Sequence, residues 1–546
     1  MKKKKQPFFS ADAITKHVSS VLTATIDSLA QDRYDADTRF LLNSQKVDFT
    51  KKYCSPELDT TDMSLNAYIL FLQVNERMKH VSNYPFPNSR FSGRLPRDQQ
   101  ILLRAKNIIA RVLGEFVEDE FLANCKHSSG STIGVNYQNS SIEAKLGKLT
   151  YTDGVQRWFQ YYLSYDSQLR SVLDSHQHRY ELVRGSKAVT VPKDNKKVRM
   201  ICVEPCLNMF FQQGLMQCLT ARLDKVGLSF SSQQDRNRQL AWYGSLTGTL
   251  ATIDWSSASD TLNYDLIKFL LPHRWFYYLD QFRCGEIEIL GVYEKLHMFS
   301  TMGNACTFPL ETLVFWAFAV ASVSLGDQSS QTLVDDRLFQ EAAVFGDDCI
   351  LPVQDVPTFL GFMERFGFLP NASKSYWEGP FRESCGNDFL AGKDVRPFFL
   401  TGPGGSSKHH MTAWLNIMLN RLTNRFIRIW GPLAYIYYAS PVYECIFELF
   451  RQYKLELFLV PTYFPDDAGV KIGSDFLRFR RHFNIRTLVS TIAQDRHGTK
   501  HFRYLRVRYP KRVETSESVH YWLFLKGLEK EAPEYNNIKR NPSYVT

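Results

Sequence analysis

Two short apolar runs meeting at a pair of adjacent carboxylates constrain this chain more than any other feature. Val344-Phe345 leads into Gly346-Asp347-Asp348, and Cys349-Ile350-Leu351 follows. Apolar runs on either side of a Gly-Asp turn predict a β-hairpin with both carboxylates at its tip. Like charges held side by side next to a core repel each other, and a divalent cation is the usual reason to keep them there. Gly-Asp is also a common turn pair, so this stretch alone fits a polar turn equally well.

Two further segments carry the same ambiguity singly. Leu250-Ala251-Thr252-Ile253 is a β-type run that ends in Asp254. Ser259 or Asp260 then stands where a helix cap would, ahead of an apolar face of Leu262, Leu266, Phe269 and Leu270. Ser300-Thr301-Met302-Gly303-Asn304 precedes an apolar segment and offers small and amide groups suited to a sugar or a strand backbone. A strand end, a helix cap and a turn would explain each of these in isolation. Taken together, Asp254, Asp347 and Asp348 from separate segments could converge on neighbouring strands and hold a pair of Mg²⁺ ions for phosphoryl transfer. Their hard oxygens suit magnesium, which thiols do not.

Composition sets the surroundings. The 546 residues leave room for several subdomains, and 44% hydrophobic against 22% charged residues marks a folded chain. The formal charge of +10 favours a polyanionic partner, nucleic acid or an acidic membrane surface, although a solubilising surface would give the same balance. The longest apolar run, Leu313 to Leu325, is shorter than the roughly 20 residues of a membrane span and predicts a buried core helix, so no membrane association is expected. None of the ten Cys forms a CxxC pair, and Cys202, Cys206 and Cys218 read as buried thiols. With no apolar signal segment after Met1-Lys2-Lys3-Lys4-Lys5, a reducing cytoplasmic setting is expected.

Along the chain, residues 1 to about 180 read as mostly helical, with apolar spacing at Leu65, Ile69, Leu72 and Val74. Residues 126–140 read as a loop. A strand at 189–192 runs into a turn bearing Lys193, Lys196, Lys197 and Arg199. Residues 246–400 alternate strand-like and helical runs, and helical patterns return beyond 400. The segment 471–512 carries twelve Lys or Arg with interleaved Phe and Tyr, a composition that suits single-stranded nucleic acid or a half-buried strand pair.

The order of Lys193…Arg199, Asp254-x5-Asp260, Ser300-x2-Gly303-Asn304, Gly346-Asp347-Asp348 and Lys374 resembles the motif series of viral RNA-dependent RNA polymerases. Asp254-Trp-Ser-Ser-Ala-Ser-Asp260, Ser300-Thr-Met-Gly-Asn304, Gly379-Pro-Phe-Arg-Glu-Ser-Cys-Gly386, Val191-Pro-Lys193 and Glu204-Pro205 resemble, more specifically, the replicase β subunit of the RNA bacteriophages, the levivirus group. That resemblance implies an α+β right-hand polymerase fold, with fingers, a βαββ-type palm and thumb, mostly helical outside the palm. It places fingers at 1–245, including a basic segment at 187–203 where nucleotides would enter. Palm would be 246–400, with 271–299 open to assignment to the fingers, and thumb with a basic region 401–546.

The resemblance further implies template-directed RNA synthesis with two Mg²⁺ ions, for which Mn²⁺ is a possible substitute. Asp254, Asp347 and Asp348 would be the metal ligands, and Lys374 a general acid. Asp260 and Asn304 would read the ribose 2′-hydroxyl, and Ser300 and Gly303 would lie against sugar and template. Lys193, Lys196, Lys197 and Arg199 would hold the triphosphate. Partners implied are the RNA template and product, ribonucleoside triphosphates, the host translation elongation factors Tu and Ts, and an OB-fold ribosomal protein, in the cytoplasm of an infected bacterium.

The sequence departs from the family pattern at three places. Phe345 replaces a Tyr, Trp255 replaces an aliphatic residue and is expected to face away from the carboxylates, and Pro309 replaces a Glu. A Pro is tolerated in a first turn, so the buried helix should start near Thr307 or be kinked. A reverse transcriptase would block the 2′-hydroxyl with a bulky side chain, whereas Asp260, Ser300 and Asn304 are small or polar. A non-catalytic RNA-binding scaffold would need only the basic C-terminal region.

Overall fold

A computed structural model of the chain describes residues 10–29, 34–87, 96–135, 140–323 and 342–472, with short strands at 493–494, 500–504 and 543–545. The expectations for the 471–512 segment fall mostly outside the described residues. Helices and strands mix as expected, with the strands concentrated between 148 and 394 and helices on either side.

The core is organised by the Thr307–Val323 helix, in which every residue except Phe308 and Val323 is buried. A helix that is apolar all round has to lie at the centre of a protein, and this one packs on Arg97–Leu113, Cys206–Lys225 and Val356–Arg365. It begins at Thr307, so Pro309 falls in the first turn, where no backbone donor is lost. Against it lies a three-stranded antiparallel sheet with Asp348–Pro352 in the middle, flanked by Leu250–Ile253 and Ala343–Phe345. Gln233–Thr247 covers this sheet from another side. A four-stranded sheet places Val198–Val203 beside Ser186–Pro192, and Glu286–Ile289 next to that with Val292–Lys295 at the edge. The basic turn of 193–197 is the hairpin between its first two strands.

A second core joins the first helices to the segment 398–470. Ile14, Val18, Leu22 and Phe49 pack with Trp414, Met418, Leu422 and Tyr443 of the C-terminal helices. Buried Gln45 fastens this arrangement, donating to Phe398 O at 3.0 Å and accepting from Phe398 N at 2.9 Å. Residues 11–53 therefore pack with 398–470 and not with the helices that follow them. The long helix Lys408–Tyr438 is broken at Gly431, whose φ of 78° and ψ of 168° are not helical, just ahead of Pro432.

The Thr61–Val81 helix forms where the apolar spacing predicts one; it buries Phe71, Val74, Met78 and Val81, while Leu65, Ile69 and Leu72 are exposed. Two local expectations need correction. The helix after Asp260 starts later, at Tyr264, and its cap is Asn263, whose Oδ1 accepts from Leu266 N at 2.9 Å. Asn263 also donates to Met78 O at 2.7 Å, so a buried amide ties two helices together while capping one of them. Only Asp347 occupies the hairpin tip with Gly346; Asp348 opens the return strand and pairs with Phe345. Truncating Met78 to Ala should cost about 2–5 kcal/mol, whereas Leu65→Ala should stay within about 0.5 kcal/mol. Thermal melting of the two variants beside the parent chain measures the contrast.

Candidate active site

The local folding of the hairpin follows from its smallest residue. Phe345 and Asp348 pair, so Gly346-Asp347 is a two-residue turn, with a positive φ of 61° at the glycine and none at Asp347. A glycine first is the pattern of a tight II′-type turn. A Cβ at Gly346 would stand 2.2 Å from the Phe308 ring, and the Gly346 N–H donates to Thr312 Oγ1 at 2.9 Å. The turn is therefore pressed and bonded onto the first turns of the buried helix.

Register brings Asp254 to the same place. Cys349 pairs with Ile253 in the antiparallel sheet, which sets the next residues, Asp348 and Asp254, opposite each other at its end. Asp254 Oδ2 accepts from Asn371 Nδ2 at 2.8 Å, and its Oδ1 lies 3.7 Å from Lys374 Nζ. Lys374 also approaches Glu383 at 3.9 Å. Asp348 Oδ2 accepts from Cys385 N at 3.1 Å, and Asn237 Nδ2 holds the Asp348 carbonyl at 3.1 Å. Trp255 turns the other way, buried against Phe315, Phe359 and Phe368, with its Nε1 donating to Cys349 Sγ at 3.3 Å.

The electrostatics show how close these carboxylates are in effect. Burial, followed by repulsion from Asp347 and Asp254, pushes Asp348 up to about 7. Burial and Asp254 also raise Asp347. Lys374 sits above its ordinary value because Asp254 and Glu383 outweigh the effect of burial, which alone would lower it. Partial burial, then Arg199 and Lys374, lower Lys193, while Asp254 and Asp347 pull it back up. Lys193 therefore lies near Asp254 and Asp347, with Arg199 beside it and near Asp260. Lys196 and Lys197 are exposed on the same turn, with Lys196 N donating to Asp194 Oδ1.

The remaining predicted residues lie on two segments that meet, the 258–260 turn and the 300–304 loop. Asp260 ends a short 3-10 turn and accepts from Met302 N at 3.2 Å, and burial pushes its carboxyl up to about 6. Asn304 Oδ1 accepts from Cys306 N at 2.8 Å, and Ser300 Oγ is buried without a hydrogen-bond partner. Gly303 has a φ of 130°, and a Cβ there would sit 2.0 Å from Cys202 O. That glycine lets the loop lie directly on the 198–203 strand, where Cys202 N donates to Met302 O at 2.7 Å.

Sequence reasoning passed over Glu311, Thr312 and Asn371. Glu311 is fully buried, its Oε1 has no hydrogen-bond partner, and burial together with Asp347, Asp260, Asp254 and Asp348 holds its carboxyl well above the ordinary range. A glutamate inside an otherwise apolar run was the available signal. Nine of the ten Cys are buried and all are free, as thiols in the core should be. Among the described residues no His, Cys, Asp or Glu cluster of three or more has its side chains arranged to hold a metal ion, since the Asp254 and Asp348 oxygens turn to Asn371, Lys374 and Cys385 instead. The donor set still fits a hard cation: buried, mutually repelling carboxylates are oxygen ligands that lack only a compensating charge.

A hairpin bearing two adjacent aspartates is thus set against a strand-end aspartate, with Lys193 of the basic turn near them. The chain belongs to the RNA replicase β-chain family, whose model matches residues 28–524. It is 35% identical over 316 residues to the RNA-directed RNA polymerase β chain of Enterobacteria phage GA, covering 56% of each chain. It is 32% identical over 418 residues to that of Enterobacteria phage fr, covering 74% of this chain and 69% of the relative. The matched stretch thus spans little more than half the length of the phage GA protein. A solved RNA-dependent RNA polymerase of a human picorbirnavirus aligns over 81% of this chain and 88% of that one, at 13% identity and a TM-score of 0.44, too distant to bear on the site.

The raised carboxyl of Asp348 has a consequence for stability. In the unfolded chain it ionises near 3.8, and in the folded one near 7. Ionisation therefore costs the folded state nothing below the first value, progressively more between the two, and the full amount above the second. Asp348→Asn should raise the thermal midpoint in metal-free buffer, by more at pH 8 than at pH 5. A gain equal at both values would count against the repulsion.

Proposed function

We propose that this chain is an RNA-directed RNA polymerase, the catalytic subunit of a phage RNA replicase. The observation that carries this reading is the register that sets Asp254 opposite Asp348 beside the Gly346-Asp347 turn, within a family whose named members are polymerase β chains. On this reading the 246–400 region acts as palm, with the 1–245 and 401–546 regions as fingers and thumb of a right hand. The packing of 11–53 on 398–470 supports counting those first helices with the thumb side.

Asp254, Asp347 and Asp348 are the residues that would hold Mg²⁺, with Mn²⁺ as a substitute. Bound there as a pair, the ions would lower the pKa of an RNA 3′-hydroxyl and neutralise charge on the triphosphate. Lys193, near Asp254 and Asp347, and Arg199 beside it orient the incoming triphosphate, and Lys196 and Lys197 guide it from the exposed turn. Lys374, held between Asp254 and Glu383, remains protonated and is placed to give a proton to departing pyrophosphate. Asp260, clamped to Met302 N, and Asn304 at the helix start present polar groups to a ribose 2′-hydroxyl. Ser300 and Gly303 keep that loop small enough for a sugar and a template to pass.

RNA template and product and ribonucleoside triphosphates are the proposed partners, together with host factors Tu and Ts and an OB-fold ribosomal protein, in the host cytoplasm. Among the described residues no helix is long and apolar enough to cross a membrane.

Asp347→Asn should abolish nucleotide incorporation, a loss of at least about 10³-fold, while leaving the melting profile folded. Incubation of the purified chain with an RNA template, four ribonucleotides and Mg²⁺, with and without host factors, measures it. Asp260→Ala or Asn304→Ala should narrow the preference for ribonucleotides over deoxyribonucleotides in competition assays. Unchanged discrimination would remove both residues from sugar selection.

A further inference from the structure

A second strongly basic site lies away from the carboxylates. Between the N-terminal helices, the 386–401 segment and the Lys408–Tyr438 helix is a cavity of about 410 Å³ that opens to solvent. Lys52, Arg396, Phe399, Arg421, Arg425 and Arg428 line it, with Asp394 the one acidic side chain among the lining residues. Three of these cations are already paired with carboxylates. Arg396 bonds Asp388 at 2.9 Å, Arg421 bonds Asp466 at 3.0 Å, and Arg428 bonds Asp394 at 2.5 Å.

Arg425 is different. It is only 3% exposed, and its Nη2 donates to Leu41 O, Ser44 Oγ and Val395 O. Its Nε and Nη1 are buried with no hydrogen-bond partner. A buried guanidinium with two idle donors is costly, and a protein keeps such a group where an anion can satisfy it. Burial lowers its pKa to about 10, which leaves it charged at neutral pH. Lys52 makes no ion pair among the described residues and rests over the Phe399 ring at 4.9 Å, a ring that Arg396 also approaches at 5.2 Å. The cavity therefore holds more positive charge than its own carboxylates neutralise, around one aromatic face.

We propose that this cavity is a binding site for the polyphosphate group of a small anion, a nucleoside triphosphate or released pyrophosphate, separate from the carboxylate cluster. Its small size, about 410 Å³, and the clustering of its cations around one buried guanidinium favour a compact polyphosphate over a nucleic-acid strand, whose charges are spread along a groove. Arg425 would give its two idle N–H groups to phosphate oxygens, and Lys52, Arg421 and Arg428 would supply charge at the mouth. The position suits a holding site on the way to the carboxylates. Lys52 is close enough to Lys374 for the two charges to disfavour each other, and Asn195 N of the basic turn donates to Lys51 O at 3.0 Å.

Binding can be read without any polymerase assay, so its outcome is independent of the proposed activity. The full chain would be titrated calorimetrically with inorganic tripolyphosphate, ATP and pyrophosphate, in parent, Lys52→Gln, Arg425→Gln and Lys193→Ala forms. Two classes of site are expected in the parent. Lys52→Gln and Arg425→Gln should each weaken one class about tenfold and leave the other, while Lys193→Ala should affect only the second. If Arg425→Gln fails to fold, the exposed Lys52→Gln, which breaks no ion pair, decides alone. Tighter binding of ATP than of tripolyphosphate at the Lys52-sensitive class would assign it to nucleotide, and equal or tighter binding of pyrophosphate would assign it to product. Less than a twofold change in Lys52→Gln, or complete displacement of tripolyphosphate from that class by a short single-stranded RNA, would overturn the proposal.

Discussion

Negative charge held out of water is the constraint that the rest of this structure answers. Asp347 and Asp348 sit at and beside the turn of one hairpin, Asp254 ends the strand paired with it, and Glu311 and Asp260 lie in the protein behind them. Each would be better hydrated elsewhere, and together they repel. The fold keeps them together by fixing backbone and letting side chains find what donors they can. Sheet register fixes Asp254 against Asp348, the Thr312 hydroxyl fixes Gly346, and the Phe308 ring leaves no room for any other residue in the turn. Lys374, Lys193, Asn371 and the Cys385 amide then supply partial compensation. Compensation by movable side chains is what a site needs if it is to exchange those partners for cations and phosphates.

The buried helix is the second part of that answer. Its N-terminal turns touch the hairpin through Phe308 and Thr312, and the loop leading into it carries Ser300, Gly303 and Asn304. The same loop lies on the strand that follows the basic turn, by way of Cys202 and Met302, and reaches Asp260 through the Met302 amide. One element thus sets the distance between the carboxylates, the polar groups of the 300–304 loop and the strand that follows the basic turn. A shift of this helix would move all three sets at once, because packed interiors transmit displacement without absorbing it.

Much of this was legible in the chain because motif residues and their local structure coincide. An apolar run ending in Asp254, a glycine before paired aspartates, and a basic turn after a short strand each specify an element and its chemistry in a few consecutive residues. The start of the buried helix was legible in part for the same reason, since Pro309 fits either a first turn or a kink, and the helix begins at Thr307. What could not be read depended on contacts across the chain. Asp260 looked like a cap, yet Asn263 caps the helix because its amide also reaches Met78, far away in sequence. The spacing of Leu65 and Ile69 marks a helix, but which of its faces meets the core, under Met78 and Val81, is set by packing. Glu311 stood in plain view as an isolated charge, but its relevance depends on four aspartates that only the tertiary fold brings near.

The positive charge follows the opposite logic. The carboxylates are concentrated by sheet register, whereas the cations are contributed by distant parts of the chain: Lys52 from the N-terminal region, Lys193 and Arg199 from the four-stranded sheet and its basic turn, Lys374 from the loop that follows Leu369–Pro370, and Arg425 from the long C-terminal helix. The union of residues 11–53 with 398–470 in one core is what brings Lys52 to Arg425. Coulomb attraction at these separations is screened within about 10 Å in salt, so a field that draws polyphosphates inward has to be laid down in steps of that order. On the proposed function, cations at the basic turn, at Lys374 and around the Arg425 cavity would provide such steps. On that reading the packing of residues 11–53 with 398–470 is as much a part of the site as the hairpin, because without it the inner charges would stand alone.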